Sequence, residues 1–194
     1  MKTATIFNIL LLLFFFSSCE GKNAESDNKI SETTKDSKKV IQVDNKGLSK
    51  STVTIKTVHG NIIFKLYPEQ APITVARIIE LTNEGFYDGL TFHRVVPGFV
   101  IQGGDPAGDG TGGSGKKLKA EFSKLQHVKG SVAMARAAGD VDSADSQFYI
   151  ALNTLPHLDG SYTVFGQVIE GLDIVERVQK GDKIISMSFN ESGN

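Results

Sequence analysis

Many short strands, only two helices and no regular alternation between them predict a mainly β domain, an antiparallel sheet closed on itself and capped by helices. Residues 53–58 and 62–67 read as strands, and His59, Gly60 and Asn61 between them read as a tight hairpin turn. Residues 72–84 follow with Val75, Ile78, Ile79 and Leu81 at helical spacing, Pro72 suited to a first turn and Gly85 just past the end, which predicts one amphipathic helix. Further short strands are expected at 91–95, 99–102, 131–136, 148–152, 162–169 and 183–189, with a second helix near 172–179. This stretch, 53–190, holds 12 of the 16 aromatic residues and shows no internal repeat, so it is read as the one folded domain.

The two segments before it differ in composition. After Lys2, residues 6–16 are apolar except for Asn8, a run of eleven that is about half of what a spanning helix needs. The basic start, this apolar run and the small residues Ser17 and Ser18 before Cys19 have the layout of a secretory signal, expected over 1–18. Phe16, Ser17, Ser18 and Cys19 also resemble a bacterial lipobox, with phenylalanine in place of the usual leucine. That resemblance implies that Cys19 is lipidated, making it an anchor rather than a redox thiol. Residues 20–52 carry seven lysines and six acidic side chains but no aromatics and six apolar residues, too few to offset chain entropy. The expectation is a flexible, lipid-anchored tether over 19–52.

Composition removes several classes of function. With 21 basic and 22 acidic side chains the net charge is -1, which gives no field to gather phosphates, so nucleic acid is not expected as a partner. One cysteine forms no internal disulfide, and four scattered histidines have no zinc-ligand spacing, so no metal is expected. Seven of the thirteen residues 103–115 are glycine, and Gly110 to Lys117 nearly spell a phosphate-cradling loop. The match fails because Lys117 stands where a hydroxyl should meet magnesium, and the segment is read as a surface loop needing positive φ angles. Asp105 and Asp109 lack the twelve-residue calcium pattern and are read as solvated. On a strand, His93 and Arg94 point to opposite faces, so only one of them can line a given pocket. A hydrolase built on His93 and a serine has no nucleophile motif behind it.

The run Phe92-His93-Arg94-Val95-Val96-Pro97-Gly98-Phe99-Val100-Ile101-Gln102-Gly103-Gly104-Asp105 resembles the signature of the cyclophilin-type peptidyl-prolyl isomerases. The resemblance continues through Gly110-Thr111-Gly112-Gly113, Ala133-Met134-Ala135-Arg136, Ser146-Gln147-Phe148-Tyr149-Ile150, Leu158-Asp159-Gly160 and Val164-Phe165-Gly166, and covers about residues 51–190. It implies a closed eight-stranded antiparallel β-barrel capped by two α-helices, and an enzyme that accelerates rotation about X-Pro bonds without a cofactor. Arg94, Phe99 and Gln102 take the catalytic positions. His93, Val100, Ala135, Arg136, Gln147, Tyr149, Leu158 and Tyr162 take those that bind substrate.

Against the best-known eukaryotic members, this chain has His157 for a rim tryptophan, Tyr162 for a rim histidine and Val100 for a pocket methionine. It also has Arg136 for a groove asparagine and Tyr149 for a pocket phenylalanine. Arg136 adds a cation that points to tolerance of acidic residues near the substrate proline. The implied partners are proline-containing polypeptides, met by a monomer that is exported and lipid-anchored on the periplasmic or outer-membrane side of a bacterial membrane. The competing reading is a chaperone or adaptor that holds proline segments, with turnover incidental.

Overall fold

The protein is described here by a computed structural model covering residues 50–191; the signal-like segment 1–18, Cys19 and all of the tether before residue 50 lie outside the described residues. The first two strands, β1 (Thr52–Thr57) and β2 (Gly60–Leu66), form an antiparallel hairpin in the register Val53 to Phe64 and Ile55 to Ile62. These four side chains are fully buried, while Thr54 and Lys56 between them face outward, as the period of two dictates. The link is shorter than the expected three residues: only Val58 and His59 lie outside the strands, and the Thr57 hydroxyl closes the turn on the Gly60 carbonyl at 2.9 Å. Gly60 enters β2 at φ +129°, a backbone conformation that favours glycine, and a Cβ there would also press Ile174 Cδ1, at 2.9 Å, to move aside.

Helix α1 (Pro72–Asn83) buries Thr74, Val75, Ile78, Leu81 and Thr82 on one face. Its N-cap, Ala71, has no side-chain acceptor. Instead the carboxylate of Glu121, far along the chain, takes the N–H groups of Ile73 at 2.9 Å and Thr74 at 2.8 Å, satisfying two first-turn donors and meeting the positive end of the helix dipole. Glu121→Ala is expected to cost about 1 kcal/mol, in the usual range for a lost cap, and to lower the melting temperature by several degrees in a thermal denaturation scan. An unchanged melting temperature would contradict this role.

The remaining strands are β3 (Arg94–Val96), β4 (Val100–Gly103), β5 (Ser131–Met134), β6 (Phe148–Ala151), β7 (Val164–Glu170) and β8 (Ser186–Asn190), with helix α2 (Leu172–Arg177) between the last two. All described pairings are antiparallel, in the order β3-β4-β6-β5-β7-β2-β1-β8. The expected closed barrel is therefore corrected to a curled eight-stranded half-barrel with β3 and β8 as its edges. The predicted strand 91–95 is not continuous at this seam. The ladder there is β3, Arg94–Val96, and Thr91 makes only isolated bridges, to Asp105 and Lys183. At this seam Phe92 N–H donates to Asp182 at 2.8 Å and Ile184 N–H to Leu90 at 2.8 Å, tying the edges together without a continuous ladder.

Strand alternation divides the apolar side chains between two clusters. Ile101, Val132, Met134, Phe148 and Ile150 join Phe64, Phe92 and Phe165 in the main core. Their neighbours of opposite parity, Val100, Ala133, Tyr149 and Ala151, form a smaller cluster with Leu155 and Val164. Partly buried Phe99, Ala135, Leu158 and Tyr162 pack around this second cluster. A one-residue slip of β4 or β6 would exchange the two sets, so burial of the main core fixes which side chains the second face presents.

Candidate active site

The second face carries a row of paired residues across five strands: Arg94 on β3, Gln102 on β4, Tyr149 on β6, Ala133 on β5 and Val164 on β7. Beside it is a cavity of about 160 Å³. Phe99, Val100, Tyr149, Leu158 and Tyr162 give it apolar and aromatic walls, and Arg94, Gln102, Ala135 and Arg136 complete it. Gln147 lines an adjoining cavity of about 280 Å³, which shares Gln102, Ala135 and Arg136 with the first.

The catalytic and substrate-binding residues named from the sequence line these two cavities with one exception. The exception is His93. It lines neither cavity; its ring is buried, and neither nitrogen has a hydrogen-bond partner among the described residues. Burial holds its imidazole below the ordinary histidine range, outweighing the opposing pull of Asp105, so the ring is neutral at pH 7. Arg94, on the opposite face of the same segment, is the member of the pair that meets the cavity, as strand geometry requires.

Arg94 is exposed but directed. Its guanidinium carbon lies 5.5 Å from the Phe99 ring centroid, and Nη1 donates to Gln102 Oε1 at 3.3 Å. The donor sense of this contact is set from a distance. Gln147 Nε2 is committed to the carbonyls of Gly110 at 3.0 Å and Gly112 at 2.8 Å, so Gln147 Oε1 must accept from Gln102 Nε2, at 2.9 Å. Gln102 Oε1 is then left facing Arg94. The glycine-rich loop is accordingly more than a solvent-facing link: its carbonyls orient the amides that steer the arginine.

Asp105 shapes that loop, which corrects its reading as a solvated side chain. It is 1% exposed and accepts the N–H groups of Ala107, Asp109 and Gly110. Burial pushes its carboxyl up, but these backbone donors, led by Gly110, bring it below the ordinary range. Where the loop begins, Gly104 sits at φ +83°, and a Cβ there would lie 2.5 Å from the Ser146 carbonyl oxygen. Asp109 remains a surface residue, capping Thr111.

Two residues that the sequence did not single out support the aromatic wall. His127, fully buried, holds Asp159 Oδ1 through Nδ1 at 2.9 Å and the Tyr149 hydroxyl through Nε2 at 2.9 Å. The His127 N–H adds a second bond to the same Asp159 oxygen at 2.7 Å. An ionised Asp159 accepts only, so Nδ1 carries the proton, and in the neutral ring Nε2 accepts from the phenol. Burial raises the Tyr149 phenol far above its ordinary range, which keeps it a donor. The Tyr149 and Tyr162 rings meet edge to face at 5.8 Å, and His157 stacks on Phe99 at 5.9 Å.

The Asp159 carboxyl is held below its ordinary range, first by the His127 N–H and then by the His127 ring. A carboxyl depressed in the folded state stabilises the fold above its unfolded pKa of about 4, and that contribution is lost as pH falls through the folded value. Melting temperature is therefore expected to drop as pH falls below about 4, and less steeply for Asp159→Asn than for wild type. Equal acid slopes would contradict it. Asp182, held low by the Gln179 N–H, contributes to both curves and drops out of the comparison.

A curled antiparallel sheet with two helices, presenting an arginine beside a small aromatic cavity, defines a cyclophilin-like fold and site. The model of the family "cyclophilin type peptidyl-prolyl cis-trans isomerase/CLD" matches residues 52–189. A peptidyl-prolyl cis-trans isomerase of Helicobacter pylori is 43% identical over 159 residues, spanning 79% of this chain and 96% of its own. The Bacillus subtilis peptidyl-prolyl cis-trans isomerase B is 52% identical over 124 residues, spanning 63% of this chain and 87% of its own. Among solved structures, a Cryptosporidium parvum cyclophilin type peptidyl-prolyl cis-trans isomerase superposes with a TM-score of 0.68 at 31% identity, covering 74% of this chain and 99% of that one. The chain belongs to the cyclophilin-type peptidyl-prolyl cis-trans isomerases.

Proposed function

We propose that the cavity beside Arg94 receives the ring of a substrate proline and that Arg94 lowers the energy of the half-rotated imide. The activity, peptidyl-prolyl cis-trans isomerisation, comes with the family; the roles of the residues are those the family resemblance implies, and the way they line one cavity supports them. Rotation about a peptide bond faces a barrier of about 18–20 kcal/mol because the twisted amide loses its resonance, whereas the two X-Pro isomers differ by only about 0.5–1 kcal/mol. In the twisted state the prolyl nitrogen regains a lone pair that accepts a hydrogen bond, and a guanidinium donor aimed there binds that state better than the planar one. The observation that carries this reading is the Arg94 side chain, steered by Gln102 to the edge of a cavity of about 160 Å³.

Phe99, Val100, Tyr149 and Leu158 grip the pyrrolidine while the rest of the substrate turns about it. Gln102 and the backbone near Arg136 hold the moving chain. An acceleration on the order of 10⁵ needs about 7 kcal/mol of differential binding. One charge-assisted hydrogen bond supplies about 1.5–3 kcal/mol, so the remainder must come from the other contacts of the pocket with the rotating substrate. A protease-coupled or exchange assay on a short proline peptide tests the enzyme reading against a chaperone with incidental turnover. A rate no higher than the uncatalysed one, with aggregation still suppressed, would favour the chaperone.

The setting we propose is export followed by lipid anchoring at Cys19, with the tether holding a monomeric domain off a bacterial membrane. The layout of residues 1–19 supports it, and slow prolyl isomerisation of exported chains is the step such an enzyme would relieve. Mass spectrometry of the mature N-terminus in a membrane fraction should find a lipid-modified Cys19. A free Met1 would overturn both export and anchoring.

A further inference from the structure

The groove around the proline cavity is electrically lopsided in a chain whose net charge is -1. Arg94, Lys117 and Arg136 line the two adjoining cavities, against a single carboxylate, Asp145. That carboxylate is already engaged by the Ser114 N–H at 2.7 Å, the Ser114 hydroxyl, and the Gly115 N–H at 3.0 Å. Lys117 has a partner, Asp140 at 3.2 Å. Neither Arg94 nor Arg136 has a carboxylate within ion-pair distance among the described residues.

Arg136 is also pre-set in position. Its Nε donates to the Ser161 carbonyl at 3.0 Å and its Nη1 to the Ala137 carbonyl at 3.2 Å, and its guanidinium carbon lies 4.7 Å from the Tyr162 ring centroid. These contacts fix the planar group against an aromatic face and leave the Nη2 donors uncommitted. Arg136 lines both cavities, so a chain that leaves the proline cavity for the adjoining one passes it.

We infer that Arg136 is a specificity-determining residue, and that the isomerase turns over proline substrates with a carboxylate side chain flanking the proline faster than their neutral or cationic counterparts. The inference rests on the prolyl isomerase reading of this site. A guanidinium held in place and lacking a carboxylate of its own gives a charge-assisted hydrogen bond without first breaking an internal ion pair, and its rigidity lessens the entropy lost on binding. The same cation disfavours a lysine at that place. Because the group is partly solvated, the preference is moderate and falls with ionic strength.

The test uses the full chain and three short peptides identical except for Glu, Gln or Lys beside the proline, on each side in turn, with exchange NMR giving kcat/KM. For wild type at low salt, the Glu peptide is expected to exceed the Gln peptide about fivefold to tenfold on one side of the proline, with the Lys peptide slowest. The ratio should fall towards one as salt is raised through about 0.5 M. In Arg136→Gln, whose fold is checked by its melting curve, the Glu-to-Gln ratio should fall to about one whatever the absolute rates. A wild-type ratio of one on both sides, a ratio insensitive to salt, or an Arg136→Gln ratio equal to that of wild type would each overturn the inference. The salt series keeps it open to refutation if the variant fails to fold. Failure of the neutral Gln peptide to turn over would instead strike at the isomerase reading itself.

Discussion

Arg94→Ala is expected to lower kcat/KM for a proline peptide by about 10²–10³-fold, the usual consequence of deleting one donor aimed at a developing electron pair. Arg94 is exposed at the edge strand β3, and its described contacts are a 3.3 Å bond to Gln102 and the face of Phe99. The melting temperature should therefore change little, which separates lost chemistry from lost structure. Arg94→Lys is expected to recover little of the rate. A lysine carries the charge but not the planar fork, so it cannot hold Gln102 while presenting a second donor to the substrate. Wild-type kcat/KM in either variant would remove Arg94 from the reaction.

The second large effect belongs to the buried pair behind the pocket. His127→Ala removes an imidazole that is fully buried, leaves a cavity and strands the Tyr149 hydroxyl, which is itself 4% exposed. The expected loss of stability is about 2–4 kcal/mol, from the void and the unsatisfied phenol together, which corresponds to a drop in melting temperature on the order of 10 °C. Activity distinguishes a pocket wall from ordinary core. In Tyr149→Phe the ring remains but its tie to His127 is gone, so kcat/KM should fall several-fold while the fold survives. Replacing His127 by Gln in that background should then cost much less activity than it does in wild type, because the bond it served no longer exists. Equal costs in both backgrounds would show that His127 matters to the fold and not to the placement of Tyr149.

How far the sequence foretold this molecule depended on how local the determinant was. The hairpin of β1 and β2 and helix α1 follow from neighbouring residues, and their boundaries fall within a few positions of those expected. The site lining was legible only through the family resemblance, which named Val100 and Tyr149; alternation along β4 and β6 then accounts for why these two part from Ile101, Phe148 and Ile150 in the fold. The open edge was not legible. Whether β3 pairs with β8 depends on contacts between segments about 90 residues apart, where Thr91 makes only isolated bridges, to Asp105 and Lys183. His127 and Asp159 are 32 residues apart and obey no period, so nothing local marked them as a pair. The amide relay that orients Arg94 ends on the carbonyls of Gly110 and Gly112, and backbone acceptors leave no signature in side-chain identity. Asp105 was misread for the same reason: its partners are three backbone N–H groups of its own loop.

Exchange NMR on a saturating proline peptide separates binding from rotation in a single titration. For Arg94→Ala, the account predicts peptide affinity within a few-fold of wild type and on-enzyme cis-trans interconversion slower by about 10²-fold or more. An interconversion rate equal to that of wild type, with any rate loss confined to weaker binding, would show that the guanidinium holds the substrate without easing its rotation.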